Sequence, residues 1–383
     1  LCEQYYSNIQ NYLKNFNLNI RVLIGGQNKR LRNEILEDIK EGRANIVIGT
    51  HALIEENVIF KNLSLIIIDE QHRFGVMQRA MLREKGIKAD VLVMTATPIP
   101  RTLSLTLYGD LDLSVINELP KGRKPIKTYL VKESDIDKLY SFVKKHVNKG
   151  YQVYIVYPLI EESEKLDLEA ATIGYNMLRE KIFPDLRIGL IHSKLFSYEK
   201  DEIMTKFKNK EIDILVATTV IEVGIDVPNA IIMVIMNAER FGLSQLHQLR
   251  GRVGRGADQS YCFLVTKDYL VNKSGRNQSA NDNNQQIAIR RLNAMISTND
   301  GFKIAEIDLE LRGPGDFFGT RQTGLPSLEI ANIFTDGNIL EIARKEAKEI
   351  ISEDPDLSKY ENQKLKKVFL EKYSNGLNLS QVG

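Results

Sequence analysis

The sequence predicts an α/β protein with two parallel-sheet lobes, followed by a small helical C-terminal region. Three observations support this fold class. The first two-thirds of the chain repeats a short apolar run followed by an amphipathic stretch. The apolar runs are rich in Val and Ile, and they are continuous rather than alternating, which is typical of strands buried on both faces. Strands that alternate with helices form parallel sheets with right-handed crossovers.

The predicted strands are apolar runs that are too short for most helices. In chain order they are Ile20–Ile24, Ile46–Ile48, Leu65–Ile68, Val91–Met94, Gln152–Tyr157, Ile188–Ile191, Ile212–Val216, Ala230–Met236 and Tyr261–Val265. Helical patterns lie between these runs, and in one of them Ile203, Met204 and Phe207 recur at helical spacing. The predicted helices include Lys29–Lys40, Ile136–Val147 and Tyr198–Lys210.

Two changes of composition divide the chain. Leu119–Pro125 contains two prolines, a glycine and three cations, which indicates an exposed linker. Asn272–Gln286 is rich in Asn, Ser and Gln and is predicted as a long loop. We therefore predict a first lobe over residues 1–120, a second lobe over 121–270 and a helical region over 271–383. That last region contains a Gly-rich stretch, Gly313–Gly324, and a tail from Ile339 that is predicted to be helical.

Composition limits the class of protein. The chain has 383 residues, and 52 Lys and Arg against 50 Asp and Glu leave a net charge of +2, which argues against a histone-like protein but not against a local basic patch. Two distant cysteines, Cys2 and Cys262, favour a reducing compartment. No apolar run approaches the roughly 20 residues of a membrane span. The opening Leu1 without Met indicates a fragment of a longer protein.

The sharpest local signal is Asp69-Glu70, directly after the strand Leu65–Ile68. Ligands of open α/β sheets bind at this end of the strands. An Asp there suits Mg²⁺ held with waters and nucleotide phosphates, and a neighbouring Glu can orient or deprotonate an attacking water. The alternative is that the strand ends and polar residues begin. A second strand ends in Thr95 and Thr97, which would otherwise be an ordinary strand-to-turn cap.

Two further patterns lie in the predicted second lobe. Thr218 and Thr219 end a strand, and a turn with Gly224 and Asp226 follows, which suits phosphate or ribose unless it is an ordinary βα turn. The second pattern, Gln245–Gly256, contains three arginines that alternate with glycines after a helical stretch. Arginine binds phosphate in a bidentate manner and can stabilise charge on a transferring phosphoryl group. A flexible Arg-Gly loop is the alternative, and it fits poorly with the polar residues that precede it.

Taken in order, these motifs resemble those of the superfamily 2 helicases. Asp69–His72 resembles the DExH form of motif II, Thr95–Thr97 motif III, and Gly49-Thr50-His51 motif Ib. Thr218–Asp226 resembles motif V, and Gln248–Arg255, reading Gln-x-x-Gly-Arg-x-Gly-Arg, resembles motif VI. The segments Asp69–Val76 and Met94–Leu103 resemble the branch that holds the RecG helicases and the transcription-repair coupling factor. Asp308–Gly324 resembles their shared translocation motif, in its RecG form.

The resemblance implies two RecA-like lobes with ATP and Mg²⁺ in the cleft between them. It implies that Asp69 holds Mg²⁺, that Glu70 activates water, and that Arg252 and Arg255 reach the γ-phosphate. Further roles that it implies are nucleotide contact or coupling for Gln248, Thr95, Thr97, Gly224 and Asp226. DNA contact or coupling is implied for Thr50, His51, Thr218, Thr219, Arg290, Arg312, Arg321 and Gln322.

The resemblance further implies a bacterial, cytoplasmic and nucleoid-associated enzyme that acts as a monomer on branched double-stranded DNA. Stalled forks and Holliday junctions are the implied substrates, in recombination and repair, and a single-strand-binding protein is a possible partner. No Gly-x-x-x-x-Gly-Lys-Ser/Thr loop occurs in this sequence, and the wedge domain of the family is also missing. We therefore expect the chain to be a C-terminal motor fragment that is inactive for ATP hydrolysis when alone.

Three alternatives stay open. An ATP-inert module that only grips branched nucleic acid would show a steep salt dependence and no nucleotide effect. A Rossmann-type metabolic enzyme would need a Gly-x-Gly-x-x-Gly turn after its first strand, and none is present. The coupling factor would bind RNA polymerase, and its version of the translocation motif is usually more aliphatic and acidic.

Overall fold

The computed structural model of the chain describes residues 2–69, 85, 89–95, 112, 114–116, 118, 120, 122–158, 164–218, 227–272, 283–317 and 336–373. These residues form two compact units. Unit 1 contains the described residues up to Asp112 and from Asp336 onward, and unit 2 contains those in between. The composition of the sequence divided the chain into residues 1–120, 121–270 and 271–383. That division stays a prediction, because the two units are defined by contacts and not by function.

Unit 1 contains two pairs of parallel strands. β1 (Ile20–Leu23) pairs with β2 (Ile46–Gly49), and β3 (Leu65–Ile68) pairs with β4 (Asp90–Val93). All four coincide within a residue or so with predicted apolar runs. Helix α1 spans Cys2–Tyr12, and α2 spans Lys29–Glu41, one residue beyond its prediction.

The core of unit 1 joins the strands to the segment that follows β2. Leu23 of β1 packs with Ile35 and Ile39 of α2, and Ala52 and Val58 complete this cluster. A second cluster contains Ile54 together with Ile66 and Ile68 of β3. The segment that follows β2 therefore contributes residues to both clusters and packs against both strand pairs.

Unit 2 contains a six-stranded sheet in which every pair is parallel. Its spatial order is β5-β10-β9-β6-β8-β7. The bounds are β5 (Lys127–Lys132), β6 (Gln152–Val156), β7 (Ile188–Ile191), β8 (Ile214–Ala217), β9 (Ala230–Ile235) and β10 (Tyr261–Thr266). Every residue of β6, β8 and β9 is buried, which explains their continuous apolar sequences.

Helices cover this sheet, and two apolar clusters form its core. α3 is the clearest case, because Leu139, Tyr140, Val143 and Val147 recur at helical spacing and are all buried. The helices of unit 2 are α3 (Ile136–Val147), α4 (Glu164–Met177), α5 (Ser197–Lys208), α6 (Leu243–Arg250), α7 (Asp268–Asn272), α8 (Asn283–Ser297) and α9 (Gly301–Phe317). The parallel α/β fold class is confirmed.

The structure differs from the sequence prediction at three places in unit 2. β5 was not predicted, because its residues alternate between exposed and half-buried along most of its length instead of forming an apolar run. A π-helical segment, Leu178–Ile182, continues α4. The predicted loop Asn272–Gln286 is too long at its end, because α8 already begins at Asn283 and so its last four residues are helical.

The C-terminal helices of unit 1 are joined by a turn built around one carboxylate. α10 spans Gly337–Glu353 and α11 spans Gln363–Tyr373, so the predicted helical tail is present. Asp354 accepts hydrogen bonds from the Ser358 and Lys359 backbone N–H groups at 2.8 and 2.9 Å and from Asn362 Nδ2 at 2.9 Å. The Asn362 hydrogen bond is the largest contribution that holds the pKa of Asp354 below its ordinary value. Within the described part of the chain, no helix has the length and apolar character needed to cross a membrane.

Candidate functional site

The first group of predicted site residues lies at the carboxyl edge of the β3–β4 pair. Ile68 is in register with Val93, and the Met94 N–H donates to the Ile68 carbonyl at 2.8 Å. Asp69 therefore follows β3 beside the segment that leads to Thr95. Tyr5 of α1 donates its hydroxyl hydrogen to Asp69 Oδ2. The structure thus places Asp69 and Thr95 at one edge, and it adds Tyr5, for which the sequence held no signal.

The carboxylate of Asp69 is a suitable ligand for Mg²⁺. The described residues contain no cluster of three or more His, Cys, Asp or Glu side chains able to enclose a metal. A single carboxylate suits Mg²⁺, which usually keeps several waters and binds through one or two carboxylates together with substrate phosphates. Asp69 could hold Mg²⁺ in this way.

Thr50 and His51 lie at the carboxyl edge of the β1–β2 pair. Leu23 of β1 is in register with Gly49, the last residue of β2. A single 3₁₀ turn, His51–Leu53, follows, and the Leu53 N–H donates to the Thr50 carbonyl at 3.0 Å. Both Thr50 and His51 are exposed, so their side chains are accessible to a large ligand.

Gly49 is held in a space that admits no side chain. A Cβ at Gly49 would lie 2.3 Å from the Leu23 carbonyl oxygen and 2.7 Å from Leu53 Cγ. We expect Gly49→Ala to destabilise unit 1 by about 1 to 3 kcal/mol, because a backbone oxygen cannot move away without disturbing the β1–β2 ladder. Urea denaturation together with hydrogen exchange of β1 and β2 would measure this. Gly25→Ala is the matched control and should be close to neutral, because no atom of the described residues lies within 4 Å of its Cβ position.

In unit 2, α6 and the turn after it contain the predicted arginines. The Gly242 N–H donates to Gln245 Oε1 at 3.0 Å, which closes the start of the helix. Gln248 is half-buried on α6. We call residues 251–256 the Arg-Gly turn. Gly254 in this turn has φ +79°, and its Cβ position lies 2.9 Å from Ile126, so a glycine is required there.

The three arginines of this region have different surroundings. Arg250 is buried, and its Nη1 donates to the Met295 and Thr298 carbonyls, both at 2.9 Å. These carbonyls lie at the C-terminal end of α8, so Arg250 links α6 to α8 through hydrogen bonds. Arg252 and Arg255 are half-buried in the Arg-Gly turn. The sequence pattern groups all three arginines, but only the latter two are placed where a ligand could approach them.

His247 is hydrogen-bonded to Arg250. Arg250 Nη2 donates to His247 Nδ1 at 3.1 Å. Burial, and then the charge of Arg250, lowers the pKa of His247 to about 4, against an opposing effect of Asp300. The imidazole is therefore neutral at pH 7 and can accept this hydrogen bond.

The lowered pKa of His247 predicts a pH dependence of stability. The unfolded chain binds the proton at about pH 6.5 and the folded chain only near pH 4, so unit 2 is fully stabilised above pH 6.5. We expect a loss of roughly 1 to 3 kcal/mol as the pH falls through this window. Urea denaturation between pH 4 and 8 would measure it. If the free energy of unfolding of His247→Gln changed with pH as steeply as that of the unchanged chain, His247 would not be the group responsible.

One further hydrogen bond joins α6 to a helix that follows the sheet. Ser244 Oγ on α6 donates to Asp308 Oδ2 on α9 at 2.7 Å, and Asp308 is buried. Arg290 is exposed on α8. Arg312 falls within α9, although its side chain lies outside the described residues. The roles of Ser244, Asp308 and Arg250 were missed by sequence reasoning, since a polar residue on a helix gives no sign of its partner.

Thr218 lies at the carboxyl edge of the large sheet. It directly follows β8, is fully buried, and donates its N–H to the Ile191 carbonyl at 3.2 Å. The other predicted site residues lie outside the described part of the chain. These are Glu70, Thr97, Thr219, Gly224, Asp226, Arg321 and Gln322.

Comparison with known proteins defines the class first. Residues 1–106 match the DEAD/DEAH box helicase profile, and residues 132–257 match the helicase conserved C-terminal domain. S. cerevisiae Dbp5 bound to RNA and ADP BeF3 is 14% identical, with a TM-score of 0.52 over 76% of this chain and 72% of that one, which supports the fold alone. The fold is therefore that of the superfamily 2 helicases.

The third profile and the relatives define the family. Residues 298–382 match the profile of ATP-dependent DNA helicase RecG, domain 3, C-terminal. The chain is 50% identical to RecG of Synechocystis sp. over 96% of its length and 42% of that protein. It is 48% identical to RecG of Aquifex aeolicus over 100% of its length and 47% of that protein. The chain belongs to the RecG family of DNA helicases.

A solved structure supports this assignment. A structure of RecG bound to a three-way DNA junction is 44% identical, with a TM-score of 0.65 over 89% of this chain and 42% of that one. The chain spans about half the length of the curated relatives that it matches, between 42% and 51% of those proteins.

Proposed function

We propose that this chain is the motor part of an ATP-dependent DNA translocase that remodels branched DNA, including stalled forks and Holliday junctions. The observation that supports it best is Asp69 at the carboxyl edge of β3, beside the segment of Thr95, in a chain 44% identical to RecG bound to a three-way DNA junction. The proposal includes a bacterial, nucleoid-associated location, action as a monomer, and contact with a single-strand-binding protein.

In the proposed mechanism, each residue has one task in binding or hydrolysis. Asp69 would hold Mg²⁺, and the ion would supply positive charge beside the phosphates. Glu70 takes a proton from the attacking water. Arg252 and Arg255 stabilise charge on the γ-phosphate, and Gln248 contacts the nucleotide. Thr95 and Thr97 couple hydrolysis to movement, and Gly224 and Asp226 contribute to nucleotide contact.

DNA contact is proposed for residues at the carboxyl edges of the strands. Thr50 and His51 are exposed at the end of β2 and can bond backbone phosphates. Phosphate contacts carry no sequence information, so recognition should depend on the structure of the DNA rather than on its sequence. Thr218 and Thr219 are assigned the same role in unit 2.

The helices after the large sheet are proposed to transmit movement to the DNA. Arg250 ties α6 to α8, and Ser244 ties α6 to Asp308 on α9. A displacement of the Arg-Gly turn would therefore reach both helices through buried polar contacts rather than through loops. Arg290, Arg312, Arg321 and Gln322 are the proposed coupling or DNA-contacting residues in and after these helices.

ATP hydrolysis with and without forked DNA tests the proposal. The assay would compare this chain with a longer form that includes a phosphate-binding loop. We expect DNA-stimulated turnover only in the longer form, because nothing in this sequence reads Gly-x-x-x-x-Gly-Lys-Ser/Thr to grip the β- and γ-phosphates. ATP hydrolysis by this chain would contradict its predicted inactivity. No hydrolysis by either form would contradict the motor assignment.

Two alternatives make different predictions in companion assays. A DNA-binding module without motor activity is favoured by that same lack of a phosphate-binding loop, and it would bind forked DNA with a steep salt dependence and no response to nucleotide. A coupling-factor activity would instead retain RNA polymerase in a pull-down.

A further inference from the structure

Phe196 and Tyr198 form an exposed aromatic pair at the start of α5. Their ring centroids lie 5.8 Å apart, the ring planes differ by 10°, and the side chains are 68% and 67% exposed. In the other stacked pairs among the described residues, at least one ring is largely covered, as in Tyr129 with the buried Phe263. Two large parallel rings in water present a flat apolar surface that the described part of the chain leaves exposed.

The backbone holds the first ring in place. The Phe196 N–H donates to Glu199 Oε2 at 2.8 Å, and the Phe196 carbonyl accepts the Lys200 N–H at 3.1 Å. Glu199 therefore has a structural task at the start of α5. Because these hydrogen bonds fix the backbone of Phe196, little conformational entropy would be lost when a ligand stacks on its ring.

Cations lie beside the pair. Lys200 Nζ donates to the Ser193 carbonyl at 2.8 Å, on the segment between β7 and α5. Burial, and then the charges of Lys200 and Lys194, lowers the pKa of His192, against an opposing effect of Glu199. An aromatic surface beside two lysines complements a ligand that combines flat rings with negative charge.

His192, which precedes the pair by a few residues, and Thr218 each contain a buried polar atom that has no partner among the described residues. Ile191 and Ala217 are in register, so His192 and Thr218 directly follow neighbouring strands. His192 Nδ1 and Thr218 Oγ1 are buried and make no hydrogen bond within the part of the chain that the structure describes. Buried polar atoms of this kind are uncommon, and a bound water, an ion or a ligand group is the usual partner.

We propose that Phe196 and Tyr198 are a stacking platform for an unpaired base of single-stranded DNA, with Lys194 and Lys200 facing its phosphates. Bases in a duplex are stacked on each other and offer only their edges, whereas an unpaired base can lie flat on an aromatic ring. Stacking of this kind tolerates any sequence. The proposal rests on the DNA-binding function proposed above and assigns to it the unpaired strand of the branched substrate.

Trp fluorescence provides a direct test, because the chain contains no Trp. Tyr198→Trp introduces a single indole into the platform. We expect oligothymidine to quench its emission and a blunt duplex of equal length to leave it unchanged. Tyr360→Trp is the matched control, since Tyr360 is 92% exposed and belongs to unit 1, and its emission should not respond to either DNA.

Affinity measurements complete the test. We expect Phe196→Ala and Tyr198→Ala each to weaken oligothymidine binding about 5- to 100-fold, with duplex binding unchanged. Tyr198→Phe should keep most of the affinity, and thermal melting would confirm that each variant folds. Equal losses for single strand and duplex would overturn the platform, as would no loss at all.

The remaining outcomes separate this proposal from the one it rests on. If the unchanged chain binds neither DNA, the proposed function and the platform both fail. If it binds DNA and the alanine variants bind equally well, only the platform fails. If the emission of the Tyr198→Trp variant changes with protein concentration in the absence of DNA, the pair belongs to an interface between copies of this chain, and the proposal is also overturned.

Discussion

Asp69→Asn in a longer form that contains a phosphate-binding loop should lower ATP hydrolysis by about 100-fold or more. A bound Mg²⁺ contributes several kcal/mol to transition-state stabilisation, and an amide in place of the carboxylate holds it poorly. The amide oxygen can still accept the hydrogen bond from Tyr5, so the fold around β3 should be retained. Steady-state hydrolysis over a range of Mg²⁺ concentrations would measure the effect.

Tyr5→Phe is the matched control for this prediction. It removes the hydroxyl that contacts Asp69 and leaves the carboxylate in place. We expect a much smaller loss of activity, with the Mg²⁺ dependence close to that of the unchanged protein. If Asp69→Asn hydrolysed ATP at a normal rate, or if Tyr5→Phe were equally inactive, Asp69 would be part of the fold and not of the metal site.

The second large effect concerns Arg250. Arg250→Met should destabilise unit 2 by about 2 to 5 kcal/mol, because the Met295 and Thr298 carbonyls each lose a charged donor within a buried environment. For a unit of this size that corresponds to a fall in Tm of roughly 10 °C. Circular dichroism during thermal unfolding would measure it.

Arg252→Met provides the contrast two residues away. Arg252 is half-buried in the Arg-Gly turn, so its loss should cost less than about 1 kcal/mol of stability. In the longer form it should nevertheless abolish hydrolysis, whereas Arg250→Lys should be intermediate in stability because an ammonium lacks the guanidinium fork. Equal destabilisation by Arg250→Met and Arg252→Met would contradict the division of roles.

The strands of unit 2 illustrate what could be predicted from sequence. Strands buried on both faces, such as β6 and β9, were recognisable because burial requires a continuous apolar run. β5 lies at the edge of the sheet and has a weaker pattern, so its place depends on pairing with β10, a contact between residues far apart in the chain.

The site shows the same limit. The Arg-Gly pattern predicted a group of candidate functional arginines, yet nothing in the pattern separates Arg250 from Arg252. The difference arises from α8, which begins some thirty residues later and supplies the carbonyls that Arg250 binds. Likewise, the hydrogen bond from Tyr5 to Asp69 joins residues 64 positions apart. Such partners follow from tertiary packing, whereas strand-end placement follows from local periodicity.

The division of the chain into units has a consequence for synthesis on the ribosome. The described residues of unit 1 lie on both sides of unit 2 in the sequence. They comprise the residues up to Asp112 together with α10 and α11. Domains fold largely as they emerge, N-terminal parts first. Unit 2 can therefore complete its sheet before α10 and α11, which belong to unit 1, have been synthesised. During that interval the part of unit 1 that precedes unit 2 depends on local contacts, and its uncovered apolar surface is exposed to aggregation.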